Sequence, residues 1–201
     1  MQIIGIVGGI ASGKSLVAEQ FQSLGAGLLD GDRAGHEVLK DAEVCRQIRD
    51  RWGPGVFDQE GNVVRSELAR IVFGAAPEGP RELRHLESIT HPRIRAALER
   101  QKLQLEQQGY PAAVLDAPVL FKAGWETFCD IIVYVEAPTE LRLARALRRG
   151  WSKEDFYSRE AAQEPLEWKR GRADRVIDNS GSVDATRSQV AEIWHSLRAA
   201  D

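Results

Sequence analysis

Apolar and polar positions follow two rhythms along this chain. Short, nearly unbroken apolar runs recur at Ile3-Ile4-Gly5-Ile6-Val7, Gly27-Leu28-Leu29, Ala112-Ala113-Val114-Leu115, Ile131-Ile132-Val133-Tyr134-Val135 and Val176-Ile177. Each is bounded by turn-forming or charged residues, as buried strands are. Between them the spacing is helical. Val17, Phe21 and Leu24 fall at i, i+4 and i+7, and Gly25 stands where a helix would stop. Near the C-terminus Val190, Ile193, Trp194 and Leu197 share one face, with Ser182 suited to cap it. Strands alternating with helices predict an α/β fold, a parallel sheet covered by helices.

Two stretches break the alternation. From about Arg33 to Gln108 the pattern is largely helical, with turn-rich patches at Gly53-Pro54-Gly55 and Ala75-Ala76-Pro77-Glu78-Gly79-Pro80. A crossover that long is an insertion, read here as a substrate-binding subdomain over about 33–109. From Arg145 to Arg172 the chain is dense in charge, including Arg148, Arg149, Lys153, Arg159, Lys169 and Arg170. By itself such a run is a solvated helix face. Behind a phosphate loop it reads as an arginine-bearing lid over about 146–172. The core is then about 1–32, 110–145 and 173–201.

Composition narrows the class. The chain has 201 residues and is 43% hydrophobic, enough for one sizeable core with insertions. A net charge of −3 and a pI near 5.9 argue against a nucleic-acid partner. Cys45 and Cys129 lie far apart without metal-type spacing, which fits a reduced, cytoplasmic compartment. The N-terminus opens directly into the first strand with no charged leader, and no apolar run approaches membrane-spanning length, so no membrane partner is expected. Oligomeric state is not legible in the sequence.

The first apolar run leads into Gly8-Gly9-Ile10-Ala11-Ser12-Gly13-Lys14-Ser15, which fits G-x-x-x-x-G-K-[ST]. Glycines let backbone N–H groups turn toward an anion, and the helix that follows points its positive end at the same place. Lys14 would reach the β- and γ-phosphates of a nucleotide and the Ser15 hydroxyl would ligate Mg²⁺. The candidate nucleotide contacts are Gly9, Ile10, Ala11, Ser12, Gly13, Lys14, Ser15 and Leu16. A methyl at Ala11 is tolerable if φ stays negative.

A phosphate loop identifies nucleotide binding and not the reaction. Leu28-Leu29-Asp30-Gly31-Asp32-Arg33 puts two carboxylates past the second strand, where ligands of open parallel sheets bind. There Asp32 would accept the proton of an attacking hydroxyl and help to organise Mg²⁺. For Asp30, a turn residue bonding its own backbone is an equal reading. Val114-Leu115-Asp116 resembles a Walker B element, with Asp116 on Mg²⁺. Asn-Lys-x-Asp is absent and Asp116 is not followed by x-x-Gly, which disfavours a GTPase. His36-Glu37 is not half of a zinc site, since Lys40 stands where a second histidine belongs. His91-Pro92-Arg93 precedes a helical pattern at Ile94 and Leu98, and His91 reads either as a cap or as a substrate contact.

Together these pieces resemble the dephospho-CoA kinase family. The loop at 8–15, Asp30-Gly31-Asp32 with His36-Glu37-Val38, and Thr90-His91-Pro92-x-Ile94 match its motifs. So do Asp116-x-Pro118-x-Leu120-Phe121, Arg159-x-x-x-Gln163, Ala173-Asp174 and Val176-Ile177-Asp178-Asn179. The resemblance implies a P-loop kinase fold, a three-layer αβα parallel sheet with a helical CoA-binding insertion and a lid. It implies phosphorylation of the 3′-hydroxyl of dephospho-CoA by ATP with Mg²⁺, giving CoA and ADP. It gives Lys14 and Ser15 to ATP and Mg²⁺ and makes Asp32 the base. It puts Arg145, Arg149 and Arg159 at or near the lid and Asn179 close to adenine. Arg149 then joins Lys14 and Asp32 as catalytic, while His36, His91 and Arg159 fall to the substrate. Departures are Ala11 for a loop glycine, Gly31 and Gly35 for alanines, Glu140 for glutamine, and Lys122 for the glutamate after Phe121. Another small-molecule or nucleoside monophosphate kinase, or a nucleotide-binding regulator with a decayed site, are the competing readings.

Overall fold

In the computed structural model, whose described residues are 1–75, 77–117 and 119–199, the apolar runs become five strands. Ala76 of the turn-rich patch and Pro118 of the Asp116 motif lie outside the described residues. The strands are β1 (Gln2–Gly8), β2 (Gly27–Asp30), β3 (Ala112–Asp116), β4 (Ile131–Glu136) and β5 (Arg175–Asp178), in the spatial order β2-β3-β1-β4-β5. β1 pairs in parallel with β3 and β4, and β4 with β5. The middle strands are covered on both faces, which is why they read as continuous apolar runs and not as alternating ones.

The chain divides into two compact units, one of residues 1–29 with 102–201 and the other of residues 30–101. In the first, the phosphate loop leaves the C-terminal end of β1 and enters α1 (Lys14–Ser23), which stops at Gly25 with φ +106°. α9 (Val183–Arg198), capped by Ser182, packs beside it, and Phe21 and Trp194 meet at 6.5 Å between ring centroids. Ile4, Ile6, Val114, Val133 and Ile177 from the sheet join Val17, Phe21 and Val190 in one core. After β4 come α6 (Thr139–Arg148), α7 (Lys153–Ala161) and α8 (Leu166–Arg170). Asp174, of the Ala173-Asp174 motif, accepts from the Ile132 N–H at 2.7 Å and so pins the entry to β5 against β4.

The second unit is helical: α2 (Gly31–Val38), α3 (Ala42–Trp52), α4 (Arg65–Val72) and α5 (Glu78–Gln107) as far as Gln101. Glu82 on α5 accepts from Arg51 at 2.9 and 2.5 Å and from the Trp52 indole at 2.8 Å on α3. Two expectations are corrected here. The patch at 75–80 is not all turn, because α5 begins at Glu78; Pro80 sits in the first turn, whose N–H groups have no intrahelical partner in any case. His91-Pro92 does not precede a helix but lies inside one, so His91 is not a cap. An interior proline costs about 3 kcal/mol. Burial of Ile89, Ile94 and Leu98 opposes that cost, while Thr90 and Arg93 side chains donate to the Leu86 and Ile89 carbonyls.

Among the described residues, no helix is long and apolar enough to cross a membrane.

Candidate active site

The loop between β1 and α1 is held open from outside. The Ser12 carbonyl accepts from the Asn179 side-chain amide at 2.7 Å and from Arg145 at 3.2 Å. The Ile10 carbonyl accepts from Arg142 at 3.4 Å. Because a trans peptide is planar, drawing a carbonyl outward turns the following N–H to the opposite side. The amides of Ala11 and Gly13 are therefore aimed away from these donors, as an anion cradle needs. Gly13 has φ +104°, and a Cβ there would stand 1.9 Å from the Asn179 amide nitrogen, so only glycine fits. Ala11 overturns its expectation: its φ is +56°, in the left-handed region. A side chain there is strained, because the left-handed region brings Cβ close to the following carbonyl oxygen.

The side chains of the loop divide by burial. Ile10 is buried with Ala146 of α6 and Phe156 of α7, which anchors the loop to both helices. Ser12 is fully buried, so a ligand meets its backbone and not its hydroxyl. Leu16 is half-buried on α1 and Ser15 is exposed at the start of that helix. The Lys14 ammonium donates to the Gly9 carbonyl at 3.0 Å and the Gly8 carbonyl at 3.4 Å. Burial pushes Lys14 below its usual range; Asp116 opposes the fall, and Lys169, Arg142 and Arg149 add to it.

Cations from α6 and α8 surround this loop. Arg142, on α6, is 1% exposed; it donates to Ala137 O at 3.1 Å and Thr139 Oγ1 at 3.1 Å and pairs with Glu160 of α7. Arg145, one turn on, joins Ser12 to the Asn179 carbonyl, 2.9 Å from its Nη2. Burial lowers its pKa, with Arg149 and Arg148 contributing. Arg149 is exposed at the end of α6 and within electrostatic reach of Lys14. Arg159 stands apart, exposed and stacked 4.4 Å from the Trp151 ring centroid. Lys169 of α8 is 3% exposed, and burial pushes its ammonium down against the pull of Glu164.

Asn179 is 2% exposed. Its amide nitrogen holds Ser12 and its amide oxygen accepts from the Thr186 hydroxyl at 2.9 Å, so its side chain faces the loop backbone rather than a base. Asp116 ends β3 in register with Ile6 of β1, and its charge acts on Lys14. Ser15 and Asp116 offer hard oxygen donors of the kind Mg²⁺ takes. That donor set fits the ion.

In the helical unit Asp30 is a capping residue: its carboxylate accepts from the Arg33 N–H at 2.8 Å. Asp32 and His36, four residues apart and exposed, line an open groove of about 560 Å³ with Arg33, Lys40, Asn62 and Arg65. That is the size of a small-molecule site. His91, half-buried in the middle of α5, does not line it.

Three buried polar residues escaped the sequence reading. Arg142 shares a helical face with the buried Ala146, and that spacing was the available signal. Thr186 and Lys169 carried none, because their importance comes from partners in other elements. The charge run did contain Lys169, without marking it as the buried member.

The dephospho-CoA kinase family model matches residues 2–185. A dephospho-CoA kinase of Symbiobacterium thermophilum is 42% identical over 98% of this chain and 81% of its own length. The crystal structure of TT1252 from Thermus thermophilus superposes with a TM-score of 0.83 at 35% identity, covering 97% of this chain and 96% of that one. A dephospho-CoA kinase from Campylobacter jejuni gives a TM-score of 0.63 at 25% identity, over 98% and 97%.

Proposed function

This chain belongs to the dephospho-CoA kinase family, and we propose that it transfers the γ-phosphoryl group of ATP to the 3′-hydroxyl of dephospho-CoA, giving CoA and ADP. The observation that carries the reading is the loop itself. Its carbonyls are drawn outward by Asn179, Arg142 and Arg145, and the half-buried Lys14 stands at its base among further cations.

The loop amides and Lys14 bind the β- and γ-phosphates, and the helix α1 dipole adds to the attraction. Ser15 and Asp116 would hold Mg²⁺, which neutralises charge on the β- and γ-oxygens. Arg149, exposed at the end of α6, takes an oxygen of the transferring group when nucleotide is bound. Arg145 and Asn179 shape the loop that the nucleotide enters. Asp32 accepts the proton of the acceptor hydroxyl; supporting this are its exposed carboxylate, its place in the groove and its match to the family's Asp-x-Asp segment. Arg33, Lys40 and Arg65 line the same groove and suit the diphosphate of the acceptor, with His36 beside them. The segment 146–172, including Arg159, acts as the lid that excludes water during transfer.

The test is purified protein with ATP, Mg²⁺ and a panel of acceptors, scored for product by mass. CoA should form from dephospho-CoA, with adenosine and AMP far poorer, and Lys14→Ala should keep less than about a tenth of kcat. Equal kcat/KM for adenosine and dephospho-CoA would refute the acceptor. Full activity of Lys14→Ala would refute the loop.

A further inference from the structure

Lys169 is a buried charge with no task in the mechanism above. Its Nζ donates to Gln163 Oε1 at 2.9 Å and lies 3.6 Å from Glu164 Oε2. Trp168, its neighbour on α8, meets Phe121 edge-to-face at 5.1 Å and is covered by Arg172 at 4.3 Å, which fixes the helix in place. Lys169 and Lys14 line one cleft together with Gly8, Ala117, Phe121 and Gln163. The cleft they line is small, about 10 Å³, roughly the room that one water takes.

Charge around that space is out of balance. Lys169, Arg142 and Arg149 act on Lys14 against the one carboxylate of Asp116. The nearby acids are already engaged, Glu160 by Arg142 and Glu164 by Lys169. Lys169 pushes the Lys14 ammonium down, and an anion entering the cleft that both line would be drawn to both cations. A phosphoryl oxygen is such an anion and is one atom wide. The loop amides and Lys14 reach the β- and γ-phosphates, and Lys169, carried by α8, brings a further cation to the same cleft.

We propose that Lys169 is a second phosphate-binding lysine, whose ammonium takes an oxygen of the γ-phosphoryl group of ATP in the cleft beside Lys14. Gln163 and Glu164 hold the ammonium in place until the nucleotide arrives. The assignment rests on the ATP reading of the loop and not on the identity of the acceptor.

Binding measured by calorimetry without acceptor tests it, using Mg²⁺ with either ADP or the β,γ-imido analogue of ATP. Lys169→Gln should weaken the triphosphate analogue at least tenfold and ADP less than twofold. Equal loss for both ligands, or no loss for the analogue in a folded variant, would overturn the assignment. Lysine acetylation of the wild-type protein, read by mass spectrometry, is a second measure that needs no variant. The analogue should slow modification of Lys169 at least fivefold relative to ADP, and an unchanged rate would overturn the assignment even if Lys169→Gln does not fold. A wild-type protein that shows this discrimination but phosphorylates another acceptor would sink the acceptor and leave Lys169 where it is. A wild-type protein that binds neither nucleotide would sink both.

Discussion

Asn179 at the end of β5 donates its side-chain amide to the Ser12 carbonyl at 2.7 Å, joining positions 167 residues apart. The bond is buried, and Thr186 holds the other end of the amide at 2.9 Å. β5 and α9 thereby set the shape of a loop that belongs to β1 and α1. Without Asn179 the Ser12 carbonyl keeps its 3.2 Å bond from Arg145, so one buried hydrogen bond is lost, about 0.5–1.5 kcal/mol. Asn179→Ala should therefore lower stability by that order and raise KM for ATP more than KM for dephospho-CoA. Thr186→Val keeps the bond to Ser12 but leaves the buried Asn179 Oδ1 without the Thr186 donor, so it should cost about 1–3 kcal/mol in urea unfolding while changing KM for ATP less than Asn179→Ala does.

The pair of Arg142 and Glu160 predicts a distinct energetic signature. Removing one member of a buried ion pair costs about 3–5 kcal/mol, because the remaining charge stays buried. Glu160→Ala leaves Arg142 with only neutral partners. The double variant Arg142→Met with Glu160→Ala should be more stable than Glu160→Ala alone. A thermal-unfolding cycle in which the two losses simply add would contradict this.

Ala11 is held at φ +56°, where a side chain costs about 1–2 kcal/mol. Glycine would remove that strain but adds freedom to the unfolded chain, worth roughly 0.4–1 kcal/mol. Ala11→Gly should thus raise Tm by about 1–4 °C, with kcat within about threefold of wild type. A fall in Tm would show that the methyl makes a compensating contact.

Asp32→Asn should leave ATP binding intact while kcat falls by roughly 10²–10⁴, the usual contribution of a positioned general base. Steady-state kinetics beside calorimetry with ATP separates the alternatives. A loss confined to ATP affinity would make Asp32 a structural or metal-binding residue.

Lys122 is exposed, in a turn beyond Asp116. Charges in such places shift energies by about 1 kcal/mol or less. Lys122→Glu should therefore change kcat by less than about tenfold. A gain of a hundredfold would mark this chain as a weakened kinase, and a collapse would make Lys122 a phosphate-binding residue.

What the sequence determined by itself was whatever is written in neighbouring residues. The strands were legible because a central parallel strand is buried on both faces and must be apolar throughout, as in Ile3–Val7 and Ile131–Val135. The phosphate loop was legible because all its parts are contiguous, and Ser182 and Gly25 marked helix ends through local backbone chemistry. Tertiary structure alone decided the rest. Whether Asp30 caps a helix, whether a helix runs through Pro92, and whether Ala11 is left-handed depend on which neighbouring conformation packing stabilises more. Arg142, Lys169 and Thr186 read as ordinary polar residues of helices. They acquire partners only when the sheet brings β1, β4 and β5 side by side and sets α6, α8 and α9 around the loop. A buried charge is defined by what surrounds it, and those surroundings come from segments far away in the chain.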